Sequence, residues 1–170
     1  MRKSKQSLRK IVVIGGSQGA LTGLIHIVPS LPPDLQAAFF VVVHFPSEAK
    51  SSLPQILAGA GSLRACHPKD NETVKPGNIY VAPPDYHLTL AGGTIQVRKG
   101  PRENRHRPAI DPLFRTAARS FGPNTIAVLL SGNLDDGSSG FLAVRTRRGI
   151  GIVQDPAEAA AAEMPQRAMH

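Results

Sequence analysis

At 170 residues, the chain is long enough to bury a full core as one domain, and its 41% hydrophobic and 19% charged residues are typical of a globular protein. Its one cysteine, Cys66, excludes an internal disulfide and favours a reducing compartment. The net charge of +8 predicts an acidic partner, either nucleic acid or an anionic protein surface, unless the charge serves solubility alone.

Residues 1–10 are basic and are predicted to form a flexible leader. The apolar run that follows ends at Gly15, so it is shorter than the core of a signal peptide. No stretch of the sequence approaches the roughly 20 apolar residues of a membrane span. We therefore expect a cytoplasmic protein with no membrane insertion.

Residues 11–14 are all isoleucine or valine, which predicts a strand of a parallel sheet that is covered on both faces. The sequence Gly-Gly-Ser-Gln-Gly (15–19) follows and fits the G-x-S-x-G elbow, which exposes a serine hydroxyl between a strand and a helix. Ser17 is thus a candidate nucleophile, and a purely structural turn is the alternative. A dinucleotide-binding loop would need glycine in place of Ser17 and Ala20, and a P-loop would need a lysine here.

Helical and strand patterns alternate along the rest of the chain. Strands are predicted over residues 38–43, 64–67, 77–82, 125–130 and 151–153, and helices over residues 21–28, 51–57, from 111 onward and over 138–148. Residues 87–90 and 94–97 flank Ala-Gly-Gly and predict an antiparallel hairpin. The expected fold is α/β: a doubly wound, mainly parallel sheet with an antiparallel hairpin, in a single domain.

Between the hairpin and the next strand, the sequence contains a basic loop and the predicted start of a helix. Residues 98–107 form a proline-bounded loop with five arginine or lysine side chains, which is either a solvated loop or a platform for an acidic partner. Asp111 precedes Pro112, so Asp111 is predicted as the N-cap of a helix with proline at its first position.

Three predicted strands end in loops that carry Ser17, His44 and the Asp135–Asp136 pair. Crossover connections bring the carboxyl ends of parallel strands to one edge of a sheet, so these side chains are expected to meet there. A serine becomes a nucleophile when an imidazole accepts its proton and a carboxylate orients that imidazole. The order Ser, His, Asp differs from the Ser, Asp, His order of α/β-hydrolases, so a different serine hydrolase is predicted.

Taken together, the motifs resemble the catalytic domain of CheB, the chemotaxis protein-glutamate methylesterase family. The similar segments follow one another along nearly the whole chain beyond the leader: Ile-Gly-Gly-Ser-Gln-Gly (14–19), Val-His-Phe-Pro (43–46), Tyr-Val-Ala-Pro-Pro-Asp-Tyr-His (80–87), Arg-Pro-Ala-Ile-Asp-Pro-Leu-Phe (107–114), Leu-Ser-Gly-Asn-Leu-Asp-Asp-Gly (130–137) and residues 154–165. The resemblance implies Ser17 as nucleophile, His44 as general base and acid, and Asp136 as the orienting carboxylate.

The resemblance also implies a reaction and a partner. The reaction is hydrolysis of glutamyl methyl esters on the cytoplasmic helices of a methyl-accepting chemotaxis receptor, with glutamine deamidation as a second activity. The tetrahedral intermediate needs two hydrogen-bond donors. Gln18 is the first candidate, and Gly16 and Asn133 are further candidates for oxyanion or substrate binding. No metal or other cofactor is expected, because the six histidines lack metal-binding spacing.

The chain departs from the family pattern in places. A Gly-Met-Gly-like sequence is usual where this chain has Gly132-Asn133-Leu134, and Leu134 is expected to stiffen the loop that positions Asp136. No phospho-receiver domain is present in the sequence, and the family pattern would continue beyond His170 into a closing helix and strand.

Three other functions stay open at this point. The chain could be a catalytically silent binding module that keeps the CheB-like fold and its basic surface, or a related esterase with a substrate outside chemotaxis. Nucleic-acid binding is the outsider, because aromatic residues are only 5% and no nucleic-acid motif is present. The sequence leaves the oligomeric state open.

Overall fold

A computed structural model describes residues 9–46 and 48–170. Its strands are β1 (Lys10–Gly16), β2 (Ala37–Val43), β3 (Arg64–Cys66), β4 (Asn78–Val81), β5 (His87–Ala91), β6 (Thr94–Arg98), β7 (Thr125–Leu129) and β8 (Ile150–Val153). Its α-helices are α1 (Ala20–Ile27), α2 (Leu53–Ala60), α3 (Ile110–Phe121), α4 (Ser138–Thr146) and α5 (Glu163–Ala168). Short 3-10 turns follow α1 at Val28–Ser30 and α3 at Gly122–Asn124.

Six strands form one parallel sheet in the order β3-β4-β2-β1-β7-β8. Strands β5 and β6 pair with each other as a separate antiparallel hairpin. The predicted α/β fold, with a parallel sheet and a hairpin, is therefore confirmed. Strand β1 lies near the middle of the sheet, between β2 and β7, so its carboxyl end is flanked by two further strand ends.

The apolar run of β1 is buried on both faces because side chains alternate along a strand. Ile11 and Val13 join a core with α3, α4 and the hairpin, whereas Val12 and Ile14 join a second core with α1 and α2. This arrangement is the reason that residues 11–14 of the strand are all apolar, and it is the doubly wound packing expected from the sequence.

The start of α3 differs from the prediction. The N-cap is Ala109, which has no side-chain cap, and Asp111 lies inside the first turn, so the predicted N-cap was wrong. The carboxylate of Asp111 instead reaches the neighbouring helix, where its Oδ1 accepts a hydrogen bond from the backbone N–H of Gly140 (2.6 Å). The first turn of an α-helix tolerates proline, so Pro112 alone does not determine at which residue α3 begins.

Of the basic leader predicted over residues 1–10, the first eight residues lie outside the described part of the chain, and Lys10 opens β1. Helix α5, which was not predicted, packs Met164 and Ala168 into the core beside α3 and α4. No helix in the described ranges has the length and apolarity that crossing a membrane would require.

Candidate active site

The register of the sheet places Ser17 beside His44. Gly16 at the end of β1 pairs with Val43 at the end of β2, so Ser17 and His44 are each the first residue beyond the paired strands. The N–H of His44 donates to the carbonyl of Gly16 (3.3 Å), and neighbouring strands lie about 4.8 Å apart. On the other side, the N–H of Ser17 donates to the carbonyl of Ser131 beyond β7 (2.9 Å).

Glycine is required in the turn that carries Ser17 because other atoms fill the space around it. A Cβ atom on Gly16 would collide with Ala20 and press on Leu130. Gly19 has a φ of 83°, and a Cβ there would lie 2.7 Å from the Cβ of Ala160. The glycines that suggested an elbow in the sequence therefore let α1 begin directly behind Ser17. Gly16, a candidate substrate-binding residue, is buried at the end of β1.

His44 and Asp136 are joined by a short hydrogen bond. The Nε2 atom of His44 lies 2.7 Å from Oδ2 of Asp136, and the two side chains are only 6% and 2% exposed. An ionised carboxylate only accepts, so Nε2 carries the proton and Nδ1 carries the free lone pair. Nδ1 is buried and has no hydrogen-bond partner in the described part of the chain. It is thus the nitrogen that can accept a proton from a serine.

The carboxylate of Asp136 is bound by four donors. Oδ2 also accepts from the N–H of Ile110 (2.7 Å), and Oδ1 accepts from the N–H of Asp111 (3.1 Å) and the amide of Asn104 (2.7 Å). Burial alone would raise the pKa of Asp136, but the hydrogen bonds from His44, Ile110 and Asn104 outweigh it and hold the pKa below its ordinary value. Asp136 is therefore an anion at the start of α3, where the helix dipole also favours negative charge.

The hydroxyl group of Ser17 forms no hydrogen bond within residues 9–46 and 48–170, so the third contact of a triad is not made in this state. Side chains of free enzymes commonly leave such bonds long until substrate is present. The structure therefore brings Ser17 and His44 to adjacent positions and joins His44 to Asp136.

A loop of residues 99–109 closes one side of the site and carries two residues that the sequence analysis missed. The ring of His106 stacks on the ring of His44, with centroids 3.5 Å apart and planes at 7°. Burial lowers the pKa of His106, and the electrostatic interaction with the neighbouring imidazole of His44 lowers it further. Asn104 binds Asp136 from the same loop. Both residues lie just before the family motif that starts at Arg107, in the loop that the sequence characterises only by its arginine and lysine side chains.

Asp85 anchors this loop. Its carboxylate pairs with Lys99 (2.6 Å) and Arg107 (2.7 Å), and Arg102 lies 3.8 Å away. The hydrogen bonds from Lys99 and Arg107 lower the pKa of Asp85 to about 2. Three of the five cations in the predicted basic loop thus contact one acidic residue, although Lys99 and Arg102 stay about half exposed to solvent.

His87 holds the two ends of the loop. Its Nε2 atom donates to the carbonyl of Pro101 (2.7 Å), and its Nδ1 atom accepts from the N–H of Ala109 (3.3 Å). The neutral imidazole satisfies both bonds at once, because one nitrogen donates and the other accepts. The hairpin therefore supports the site from behind, through β5.

The candidate oxyanion residues Gln18 and Asn133 contact each other. The amide of Asn133 donates to Oε1 of Gln18 (2.9 Å), and the hydroxyl of Ser131 donates to the carbonyl of Gln18 (2.7 Å). Leu134 takes a left-handed φ of 65°, and its N–H donates to Glu163 (2.9 Å). The loop at this leucine is thus held by a hydrogen bond from its backbone to Glu163 of α5.

A cleft of about 450 Å³ opens over His44. Its lining consists of His44, Phe45, Pro46, Glu48, Arg102 and His106. The cleft is therefore partly aromatic, and it reaches from the imidazole toward the loop that carries the cations.

The chain is similar to known proteins over nearly its whole length. The sequence profile of the family described as CheB methylesterase matches residues 12–170. The crystal structure of the Thermotoga maritima CheB methylesterase catalytic domain superposes with a TM-score of 0.89 and 35% sequence identity, covering 94% of this chain and 87% of that chain.

Named relatives are similar to the chain over nearly its whole length. A protein-glutamate methylesterase/protein-glutamine glutaminase of Ralstonia nicotianae is 34% identical over 96% of this chain, and one of Pyrococcus abyssi is 34% identical over 99%. This chain spans 44% and 47% of their lengths. A putative enzyme of the same name from Leptospira interrogans is 33% identical, and the chain covers 82% of it. The chain therefore belongs to the CheB methylesterase family, as its motifs predicted.

Proposed function

We propose that the protein is a cytoplasmic serine hydrolase that cleaves glutamyl methyl esters on the helices of a chemoreceptor and deamidates glutamines by the same route. The observations that carry the proposal are the 2.7 Å bond between His44 and Asp136, which leaves Nδ1 of His44 without a partner in the described residues, and the strand register that places His44 beside Ser17. The names of the relatives support the same reaction.

The proposed steps follow from the proton positions. Nδ1 of His44 accepts the proton of Ser17 as the hydroxyl oxygen attacks the ester carbonyl, and the anionic Asp136 stabilises the imidazolium. The imidazolium then protonates the departing methoxide, which leaves as methanol, and an acyl-enzyme remains. Water attacks that ester with the same base and releases glutamate and free Ser17. With a glutamine side chain, ammonia leaves in place of methanol.

The negative oxygen of the intermediate needs donors that are not already used. The N–H of Gly132 is engaged by the carbonyl of Ala161 (2.9 Å), whereas the backbone N–H groups of Gln18 and Asn133 form no hydrogen bond in the described ranges. We assign these two N–H groups as the oxyanion donors. The side-chain contact between Gln18 and Asn133 supports the assignment, because it ties the two loops together beside Ser17.

Charge supports an acidic substrate. The chain carries a net charge of +8, and the cleft beside His44 extends to Arg102 on the basic loop. A glutamate-rich helix would be drawn toward this surface, while the methyl ester itself is neutral and can enter the apolar part of the cleft. A related esterase with another substrate and a silent binding module are the alternatives that the tests below separate.

Labelling with a fluorophosphonate tests the nucleophile. Wild-type protein is expected to form a covalent adduct, whereas Ser17→Ala is expected to form none, and turnover should fall by about 10⁴-fold or more because loss of a triad member has that effect. Equal labelling of the two proteins would show that Ser17 is not an activated nucleophile and would favour the silent module.

Methanol release tests the substrate. Wild-type protein should release methanol from a methylated receptor fragment faster than from a free glutamate methyl ester, and raised salt should slow the first reaction more than the second. Turnover of the small ester together with failure on the receptor fragment would favour a related esterase with a different substrate.

A further inference from the structure

Asn104 connects the site to a second buried carboxylate. Although the residue is exposed at the surface as a whole, its amide Nδ2 lies 2.7 Å from Oδ1 of Asp136 and 2.7 Å from Oδ2 of Asp111. Both aspartates are almost completely buried, at 1% and 6% exposure. One exposed loop residue therefore supplies hydrogen bonds to two carboxylates that water does not reach.

The chemistry of the two partners fixes the orientation of the amide. Carboxylate oxygens accept hydrogen bonds, so the group between them must be a donor, and the amide nitrogen has the two hydrogens that this position needs. The amide oxygen in the same place would set lone pairs against lone pairs. The backbone of Asn104 has a φ of 49°, a left-handed conformation that asparagine tolerates better than most residues.

We propose that Asn104 is a positioning residue of the hydrolase: its amide holds the plane of the Asp136 carboxylate, so that Oδ2 stays on His44 while Oδ1 is held from the opposite side. The proposal rests on the proposed function. Within the described residues its side-chain amide binds Asp136 and Asp111 and makes no hydrogen bond to Ser17 or His44, so it acts through Asp136.

The charges around Asp136 show why a neutral double donor suits this position. Three titratable groups surround Asp136: His44 directly after β2, Asp111 in α3, and His106 in the same loop as Asn104. The positive charges of Arg102 and Arg105 lie near His106, and that of Arg115 lies near Asp111. Burial raises the pKa of Asp111, and the negative charge of Asp136 raises it further. The amide binds both carboxyl groups without adding a charge between them.

Replacement by alanine gives the direct test. Asn104→Ala leaves Oδ1 of Asp136 with one donor and Oδ2 of Asp111 with none, so the carboxylate can turn away from His44. We expect kcat to fall roughly 10- to 100-fold, the factor typical of one hydrogen bond to a charged group, with KM unchanged. Asn71→Ala is the matched control, because Asn71 also has a left-handed φ of 64° but lies on a remote loop, and it should keep wild-type kcat.

Replacement by aspartate gives a second test that does not depend on comparing amounts of folded protein. In Asn104→Asp the introduced carboxyl group donates a hydrogen bond only while protonated, and once ionised it repels Asp136 and Asp111. Its activity relative to wild type should therefore fall as the pH rises. A ratio that stays constant with pH would overturn the proposal.

Two measurements test the role of Asn104 without depending on which ester is the substrate. The rate of fluorophosphonate labelling reports the reactivity of Ser17 with any substrate, and the NMR signal of the Nε2 proton of His44, shifted downfield by Asp136, reports the hydrogen bond itself. Asn104→Ala should lower the first and broaden or move the second, and Asn71→Ala should change neither. Wild-type labelling and an unchanged proton signal in Asn104→Ala, or a loss confined to KM, would overturn the proposal even where the receptor fragment is not a substrate.

Discussion

The turn that carries Ser17 and the loop of residues 99–109 meet at the same site but are held by different forces. The conformation of the turn is determined by close packing, because the atoms around Gly16 and Gly19 leave no room for a Cβ atom. The backbone N–H of Ser17 is also hydrogen-bonded to Ser131. The loop is set by charge and polar side chains, with Asp85 on its cations and His87 on its two ends. Packing fixes the turn of Ser17, the proposed nucleophile, and hydrogen bonds and ion pairs fix the groups that surround His44.

This difference predicts two kinds of sensitivity. Changes in the turn should act on folding at every pH and salt concentration, because close packing does not depend on either. Changes in the loop should act on activity in a way that depends on pH and salt, because they alter ion pairs and titrating groups. The following variants test that contrast, beginning with the largest expected effect.

Gly16→Ala should disturb the turn most. A Cβ atom here collides with Ala20 and lies 3.2 Å from the Cβ of Leu130, so the variant should lose about 1–3 kcal/mol or more of unfolding free energy, together with its Ser17 labelling. Urea unfolding measures the loss. Gly59→Ala is the control: nothing lies within 4 Å of its added Cβ, and in helix α2 the change should stabilise by about 0.5–1 kcal/mol. A Gly16→Ala protein as stable as wild type would contradict the packing account.

Asp85→Asn should loosen the loop without disturbing the sheet. The pKa of Asp85 is lowered from 3.8 to about 2, so its ion pairs stabilise the folded state above about pH 4, and that contribution is lost as the pH falls toward 2. The variant should lack this pH dependence in thermal unfolding. Its kcat should fall about tenfold or less, because partly exposed ion pairs contribute little each. Wild-type protein whose stability does not change between pH 4 and 2 would contradict this role.

His106→Phe should have the smallest effect on activity, because the phenylalanine ring can still stack on the ring of His44. We expect its kcat above neutral pH to stay within about twofold of the wild-type value. Its effect should be seen in acid. The pKa of His106 is lowered from 6.5 in the folded state, so the unfolded chain binds the proton more readily and stability falls as the pH drops below 6.5. The variant should lose less stability over that range in thermal melts. Equal losses in the two proteins would exclude His106 as the source.

The sequence was most informative where local pattern and structure coincide. The apolar runs of β1 and β2 and the glycines after residue 14 predicted buried parallel strands and a tight turn, and the structure contains them. The fold class and the family followed from these patterns and from the order of the motifs. The adjacency of Ser17 and His44 then follows from the parallel register, since each residue directly follows its strand.

The polar support of the site could not be predicted in the same way. Asn104 and Asp111 reach Asp136, and His106 reaches His44, across 25 to 62 positions of sequence, and neither the hydrophobic period nor the residue propensities encode such contacts. The sequence predicts Asp111 as an N-cap because aspartate is a preferred N-cap residue and proline is common at the first helical position. Only the packing of α3 against α4 shows that its carboxylate serves the neighbouring helix instead.

The two aspartates cap each other's helices: Asp136, just ahead of α4, binds the first N–H groups of α3, and Asp111, within α3, binds an N–H of α4. The carboxylate that we propose to orient His44 therefore also holds the start of α3 against the loop that precedes α4. A relative that lacked the proposed hydrolysis could replace Ser17 at little structural cost, whereas replacing Asp136 would leave the first two N–H groups of α3 without their acceptor. Among silent relatives we therefore expect the aspartate to persist long after the serine has gone.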